Sequence, residues 1–268
     1  MGVLRPMPPV RVSEAELRAW GRLWLGSEGS PVAKTGLAKA KKPNRFDKKQ
    51  GMDFGQVFDR AFGASLAAML GNRIAQPKDN SLLPPDRDVV EVGKTRIVGG
   101  IRPQNYDAAY RPDGPRVVYD SKTLNDAKSI GKNWQNMIND LATEASTVHT
   151  RFPYCIVCFV VVLPRPALAH AQEQALIRTL ERLGSREDEL DQPHLAEAIA
   201  MAVWDPEDGT LDKAAPPEGS SLRLEAMHRR IYAAYLDRYR NLPPHEVEEA
   251  ADAADEEDGA DDDGSGIV

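Results

Sequence analysis

Two rhythms of apolar residues run through this chain, one close to 3.6 residues and one close to two, and their succession predicts an α/β protein. After Ser13, residues Leu17, Trp20, Leu23 and Trp24 recur at helical spacing, and Ser13 with Glu16 fits a capping box. Met52 to Leu70 sets Phe54, Val57, Phe58, Ala61, Phe62, Ser65 and Leu66 on one helical face, with Gly71 placed to end it. DVVEV (88–92) and TRIVG (95–99) are β-branched and predict two short strands. Asn105 to Tyr110 and Arg116 to Ser121 flank the turn cluster Pro112-Asp113-Gly114-Pro115 and predict a β-hairpin.

A helix is expected to start within Thr123 to Asp126 and run to about Thr147, with Ile130, Trp134, Met137, Ile138, Leu141 and Ala145 near one stripe. Tyr154 to Leu163 is apolar throughout, as in a strand buried on both faces. Pro166 to Leu183, Pro193 to Val203 and Leu222 to Tyr239 are expected to be helices. The last carries Arg223, Arg229, Arg230, Arg238 and Arg240 beside Tyr232, Tyr235 and Tyr239, which suits either DNA or subunit contacts or a core-packed helix with a basic outer face.

The 268 residues suffice for one large domain with appendages, divided here into an N-terminal helix and basic arm (1–51), a core (52–165), a helical C-terminal part (166–244) and a tail (245–268). The net charge of −7 is set by the tail: eleven of the 41 acids follow Pro244, leaving 34 basic against 30 acidic residues before it. The body is mildly basic, which permits nucleic-acid binding, and the tail is expected to be disordered and to compete with DNA for basic surface. Lys34, Lys39, Lys41, Lys42, Arg45, Lys48 and Lys49 make the arm before the core either a solvated loop or a contact for DNA phosphates. No apolar run reaches bilayer length and MGVLRPMPP lacks a signal peptide's apolar core, so a cytoplasmic protein without a membrane partner is expected. Cys155 and Cys158 have C-x-x-C spacing, but a three-residue offset on a strand points them to opposite faces, so they read as two buried, unpaired thiols.

The hairpin carries the candidate chemistry. With its loop centred on Asp113-Gly114, Arg111 faces Arg116, Ala109 faces Val118 and Asp107 faces Asp120. Opposed like charges, with Cβ atoms roughly 5 Å apart, are destabilising unless a cation offsets them, and hard carboxylate oxygens suit Mg²⁺, with Mn²⁺ as a substitute. Lys122 lies two residues beyond Asp120 on the same face, where its ammonium can orient or deprotonate a water or offset charge on a phosphorane.

Asp107, then Asp120-Ser121-Lys122 across a hairpin, resembles the PD-(D/E)xK nuclease superfamily, with Tyr106 where that family has Pro. A literal Pro112-Asp113 also occurs, in the turn; Asp107 is the preferred ligand because it is in register with Asp120. The resemblance covers about Met52 to Leu163 and implies a restriction-endonuclease-like αβββαβ core, a central mixed sheet flanked by helices. It further implies a metal held by Asp107, Asp120 and the Ser121 backbone carbonyl. The helix before the hairpin often lends that family an acid, for which Asp59 is the candidate, the other reading being a surface acid. Glu91 is a further acid with no fixed place. Lys128, Lys132 and Gln135 are candidates for DNA contact, with Lys41 and Lys42 from the arm; the exonuclease branch has Gln followed four residues on by Tyr, and here Asn139 follows Gln135.

The expected function is a Mg²⁺-dependent endonuclease acting on double-stranded DNA, of type II restriction kind and homodimeric. No phosphate-binding glycine loop is present, so no nucleotide cofactor is expected. The rivals are a repair, recombination or phage-type exonuclease of the same fold, and a noncatalytic DNA-binding protein.

Overall fold

The computed structural model describes residues 2–26 and 43–247. In chain order these form β1 (Gly2–Leu4), α1 (Glu14–Leu25), α2 (Lys48–Leu70), β2 (Arg73–Ala75), β3 (Val89–Val98), β4 (Pro103–Tyr110), β5 (Val117–Thr123) and α3 (Ile130–His149). They continue with β6 (Ile156–Pro164), a short 3₁₀ turn, α4 (His170–Leu183), β7 (Ala198–Trp204), α5 (Leu224–Tyr239) and β8 (His245–Val247). The protein is α/β: a mixed six-stranded sheet ordered β2-β3-β4-β5-β6-β7, flanked by helices, with a separate parallel pair β1-β8. β3, β4 and β5 are antiparallel in turn, whereas β5, β6 and β7 run parallel.

Both sheet faces are covered. Alternate residues Tyr119, Cys158, Val160 and Ala200 pack under Phe54, Phe58 and Phe62 of α2, Leu17 and Trp24 of α1, and Ile231 of α5. Their neighbours Val118, Phe159, Val161 and Met201 pack under Met137 and Leu141 of α3 and Leu176 and Leu180 of α4. Every residue of β6 is buried, as its unbroken apolar run requires. Cys155 and Cys158 are buried free thiols in opposite clusters. No helix among the described residues is long and apolar enough to cross a membrane.

Several boundaries differ from the sequence reading. Pro193 to Val203 is not helical: it leads into β7, buried at every position and paired with β6, so the sheet continues past residue 165. A short, wholly apolar run fits a buried strand as well as a helix; the alternation of Ala198, Ala200 and Ala202 with Ile199, Met201 and Val203 is the period-two signal. DVVEV and TRIVG are one strand, β3, broken only by a register shift between Val92 and Thr95. α2 starts at Lys48 rather than Met52 because Asp47 and Gln50 cap it reciprocally, at 2.8 and 3.0 Å. α3 starts at Ile130, since Thr123 still belongs to β5 and Asp126 accepts from the Lys128 N–H at 3.0 Å in a turn. His245–Val247 forms β8 on β1, where the disordered tail was expected to begin. The tail beyond residue 247 lies outside the described residues, as do Lys41 and Lys42 of the basic arm.

Candidate active site

The cleft that holds the hairpin acids starts from a stripe on α2. Gly51, Gly55, Asp59 and Gly63 recur every four residues, so they share a face of the helix. A Cβ at Gly55 would sit 3.1 Å from Ser121 Oγ, and one at Gly63 would sit 2.2 Å from Val92 Cγ2. The glycines therefore bring the helix down onto β3 and β5, and the short Asp59 side chain reaches the sheet. Asp59 is only 5% exposed; the surface-acid reading does not hold.

The hairpin register is the expected one. Tyr110 pairs with Val117, Ala109 with Val118 and Ala108 with Tyr119. There the ladder stops, because on its other side β4 meets a bulge: Val92 opposes Ala108 and Thr95 opposes Tyr106, leaving Gly93 and Lys94 across from Asp107. Gly93 has φ of 127°, a backbone conformation glycine adopts without strain. Asp107 fills the parted strands with its side chain, its Oδ2 accepting from the Ser121 N–H at 2.9 Å and the Ser121 hydroxyl at 3.1 Å. Since the N–H and C=O of one strand residue point to the same side, the Ser121 carbonyl also faces the gap that β4 has left.

Asp120, next in register, meets Asp107 side chain to side chain. Its pKa is pushed well above the ordinary range by burial and the Asp107 charge, against the pull of Lys122. Burial and the same Asp107 charge push Asp59 up to about 8, with a hydrogen bond from Ser121 and the charge of Arg60 acting the other way. Lys122 contacts Asp120 Oδ2 and lies 2.8 Å from Glu144 Oε1. Burial works against its ammonium, but these two carboxylates more than offset that and hold its pKa above the usual lysine value.

Asp59, Asp107, Asp120, Ser121 and Lys122 all line one cleft of about 840 Å³. Its walls include Lys48, Met52, Gln56 and Arg60 of α2, Gly93 and Lys94 of the bulge, and Asn125, Ser129 and Asn133 before and within α3. The loop after β5 is pinned from the N-terminal part: Trp24 Nε1 donates to the Asn125 carbonyl at 2.7 Å, and the Ala127 N–H to the Asn44 carbonyl at 3.1 Å.

Other sequence candidates fall elsewhere. Asp113 sits in the exposed turn, paired with Arg116 at 2.9 and 2.6 Å. Glu91 is fully buried outside the cleft in a two-pronged pair with Arg111, at 2.5 and 2.9 Å. Lys128, Lys132 and Gln135 are exposed and do not line the cleft; the helix phase brings Ser129 and Asn133 there instead. The sequence reading missed Glu144, 5% exposed on the inward face of α3. Its signal was an acid inside the apolar stripe of Met137, Leu141, Ala145 and Val148.

The chain matches no protein-family model, no curated protein and no solved structure.

The donor set fits a hard divalent ion in part. Asp59 Oδ1 is buried without a hydrogen-bond partner, and the three acids and the Ser121 carbonyl are all oxygen donors. Among the described residues, however, no three His, Cys, Asp or Glu side chains are gathered closely enough to hold a metal by themselves. Such a set suits Mg²⁺, which takes one or two carboxylates and completes its shell with water and substrate phosphate.

Proposed function

We propose that this protein is a Mg²⁺-dependent DNA endonuclease of the PD-(D/E)xK kind, cutting both strands as a homodimer in the manner of a type II restriction enzyme. The observation that carries the reading is the convergence of Asp107, Asp120 and Lys122, with the buried, unpartnered Asp59 oxygen, where β4 and β5 part. Support also comes from the order α2-β2-β3-β4-β5-α3-β6, which, apart from the three-residue strand β2, is the αβββαβ order of that superfamily. Asp107, Asp120 and the Ser121 carbonyl would hold the ion, with Asp59 adding its charge beside them and water and phosphate completing the shell. Bound there, Mg²⁺ or Mn²⁺ supplies Lewis-acid polarisation of a phosphate and an acidified water.

The chain's own groups do the rest. Lys122, partly exposed to the cleft, serves as the cation that orients the attacking water and offsets charge on the phosphorane. Lys48, Arg60 and Lys94 on the cleft walls offer charge to the flanking phosphates. Two cuts on antiparallel strands require two such clefts, which a twofold dimer supplies.

Supercoiled plasmid incubated with the protein and Mg²⁺ tests the reading. Wild type is expected to linearise it, and Asp120→Asn and Lys122→Ala to cut at least about 100-fold more slowly while remaining folded. A wild type no faster than either variant would leave a noncatalytic DNA-binding protein, and degradation strictly from ends would favour an exonuclease.

A further inference from the structure

We propose that Lys122 is a built-in occupant of the cation site, and that Glu144 is the positioning residue that keeps hold of it when a divalent ion takes Asp120. The inference rests on the reading of Asp107 and Asp120 as metal ligands. It concerns how the site is held before and after loading.

The Lys122 ammonium bridges two carboxylates on different elements. Asp120 belongs to β5 and faces Asp107; Glu144 belongs to α3, across the ammonium from Asp120 and outside the cleft lining, with its charge still acting on Asp120. A dication in contact with Asp120 would repel an ammonium on the same carboxylate, because charges at contact distance interact strongly in a half-buried cleft. Lys122 must therefore give up Asp120 for the ion to bind there. Glu144 makes this a small movement, since its bond to Lys122 is already formed at 2.8 Å.

Glu144 is built to stay in place. Its Oε1 also accepts from Gln104 Nε2 at 3.0 Å, and its backbone carbonyl accepts from the Tyr106 hydroxyl at 2.9 Å. Its Oε2 is buried with no hydrogen-bond partner, a spare acceptor for an ammonium that carries three N–H donors. Packing, two neighbouring side chains and the vacant oxygen all favour Lys122 moving onto Glu144. The amine then stays beside the reacting phosphate instead of being expelled into solvent.

The test is calorimetric titration of the full-length protein with Mn²⁺ alone, without DNA. Glu144→Gln leaves Lys122 with Asp120 as its remaining carboxylate partner, so Mn²⁺ binding is expected to weaken roughly tenfold. Lys122→Met removes the competitor and should tighten Mn²⁺ binding. In the Lys122→Met background, adding Glu144→Gln should lose clearly less than the roughly tenfold seen with the amine present, leaving only the direct effect of the Glu144 charge.

Wild-type protein that does not bind Mn²⁺, or Glu144→Gln binding it as tightly as wild type, overturns the inference. So does an equal loss in the Lys122→Met background, which would mean that Glu144 merely adds charge to the site. Lys122→Gln replaces Lys122→Met if the latter does not fold, and circular dichroism of each variant checks folding. Plasmid cleavage is measured separately: Mn²⁺ coupling without cutting would sink the nuclease reading and leave this one standing.

Discussion

The Asp107 carboxylate accepts from both the N–H and the hydroxyl of Ser121, so a side chain takes up the rung that the β4-β5 ladder has just given up. This holds Asp107 at the mouth of the parted strands. Ser121→Ala keeps the backbone donor and loses the hydroxyl, and should cost about 1 kcal/mol in urea unfolding. Unchanged stability would show that the hydroxyl contributes nothing.

The approach of α2 to the sheet depends on Gly63. In Gly63→Ala the new methyl would stand 2.2 Å from Val92 Cγ2. Overpacking of this kind costs about 1–3 kcal/mol and outweighs the roughly 1 kcal/mol by which Ala favours a helix. Combining it with Val92→Ala should be less destabilising than the two single changes summed. Strict additivity would mean that the two positions do not touch.

Asp59 is held where its charge is costly. Asp59→Asn removes a buried carboxylate without a salt-bridge partner and should stabilise protein treated with a chelator by about 1–2 kcal/mol, or a few degrees in Tm. The same change should weaken Mn²⁺ binding. A variant that is less stable and binds Mn²⁺ normally would reassign Asp59 to a structural role.

Far from the cleft, Glu197 ties β7 to its surroundings. Its Oε1 meets Arg186 at 2.6 Å and Arg238 at 2.7 Å, and its Oε2 accepts from the Val157 N–H at 2.7 Å and lies 3.3 Å from His149. Burial pushes its pKa up, but these partners overcome that and bring it from 4.5 down to about 2. A carboxyl with a depressed folded pKa adds stability that is complete above its unfolded value and is lost as pH falls. The loss should run from about pH 4.5 to about pH 2 and amount to about 3 kcal/mol. Urea unfolding across that range should show this slope in wild type and a shallower one in Glu197→Gln; equal slopes would reject it.

Much of the scaffold could be read from neighbours in sequence. The hairpin register followed from the turn Pro112-Asp113-Gly114-Pro115 and from strand alternation, and it put Asp107 opposite Asp120 before any contact was known. The Ser13 cap, the Gly71 end of α2 and the burial of β6 were legible for the same reason. Strand β7 was not, since a seven-residue apolar run fits either element until its neighbours are placed.

By itself, then, the amino-acid order determined periodicity, caps, turns and which acids of the hairpin come opposite each other, because these depend on residues close together in the chain. Tertiary structure alone decided that Asp59 is buried beside Asp107, that Lys122 stands between Asp120 and Glu144, and that Gln135 is exposed outside the cleft lining. Whether a charged side chain ends in water or in a dry contact depends on how closely one element packs on another, and Glu144 is 22 residues from the Lys122 it holds.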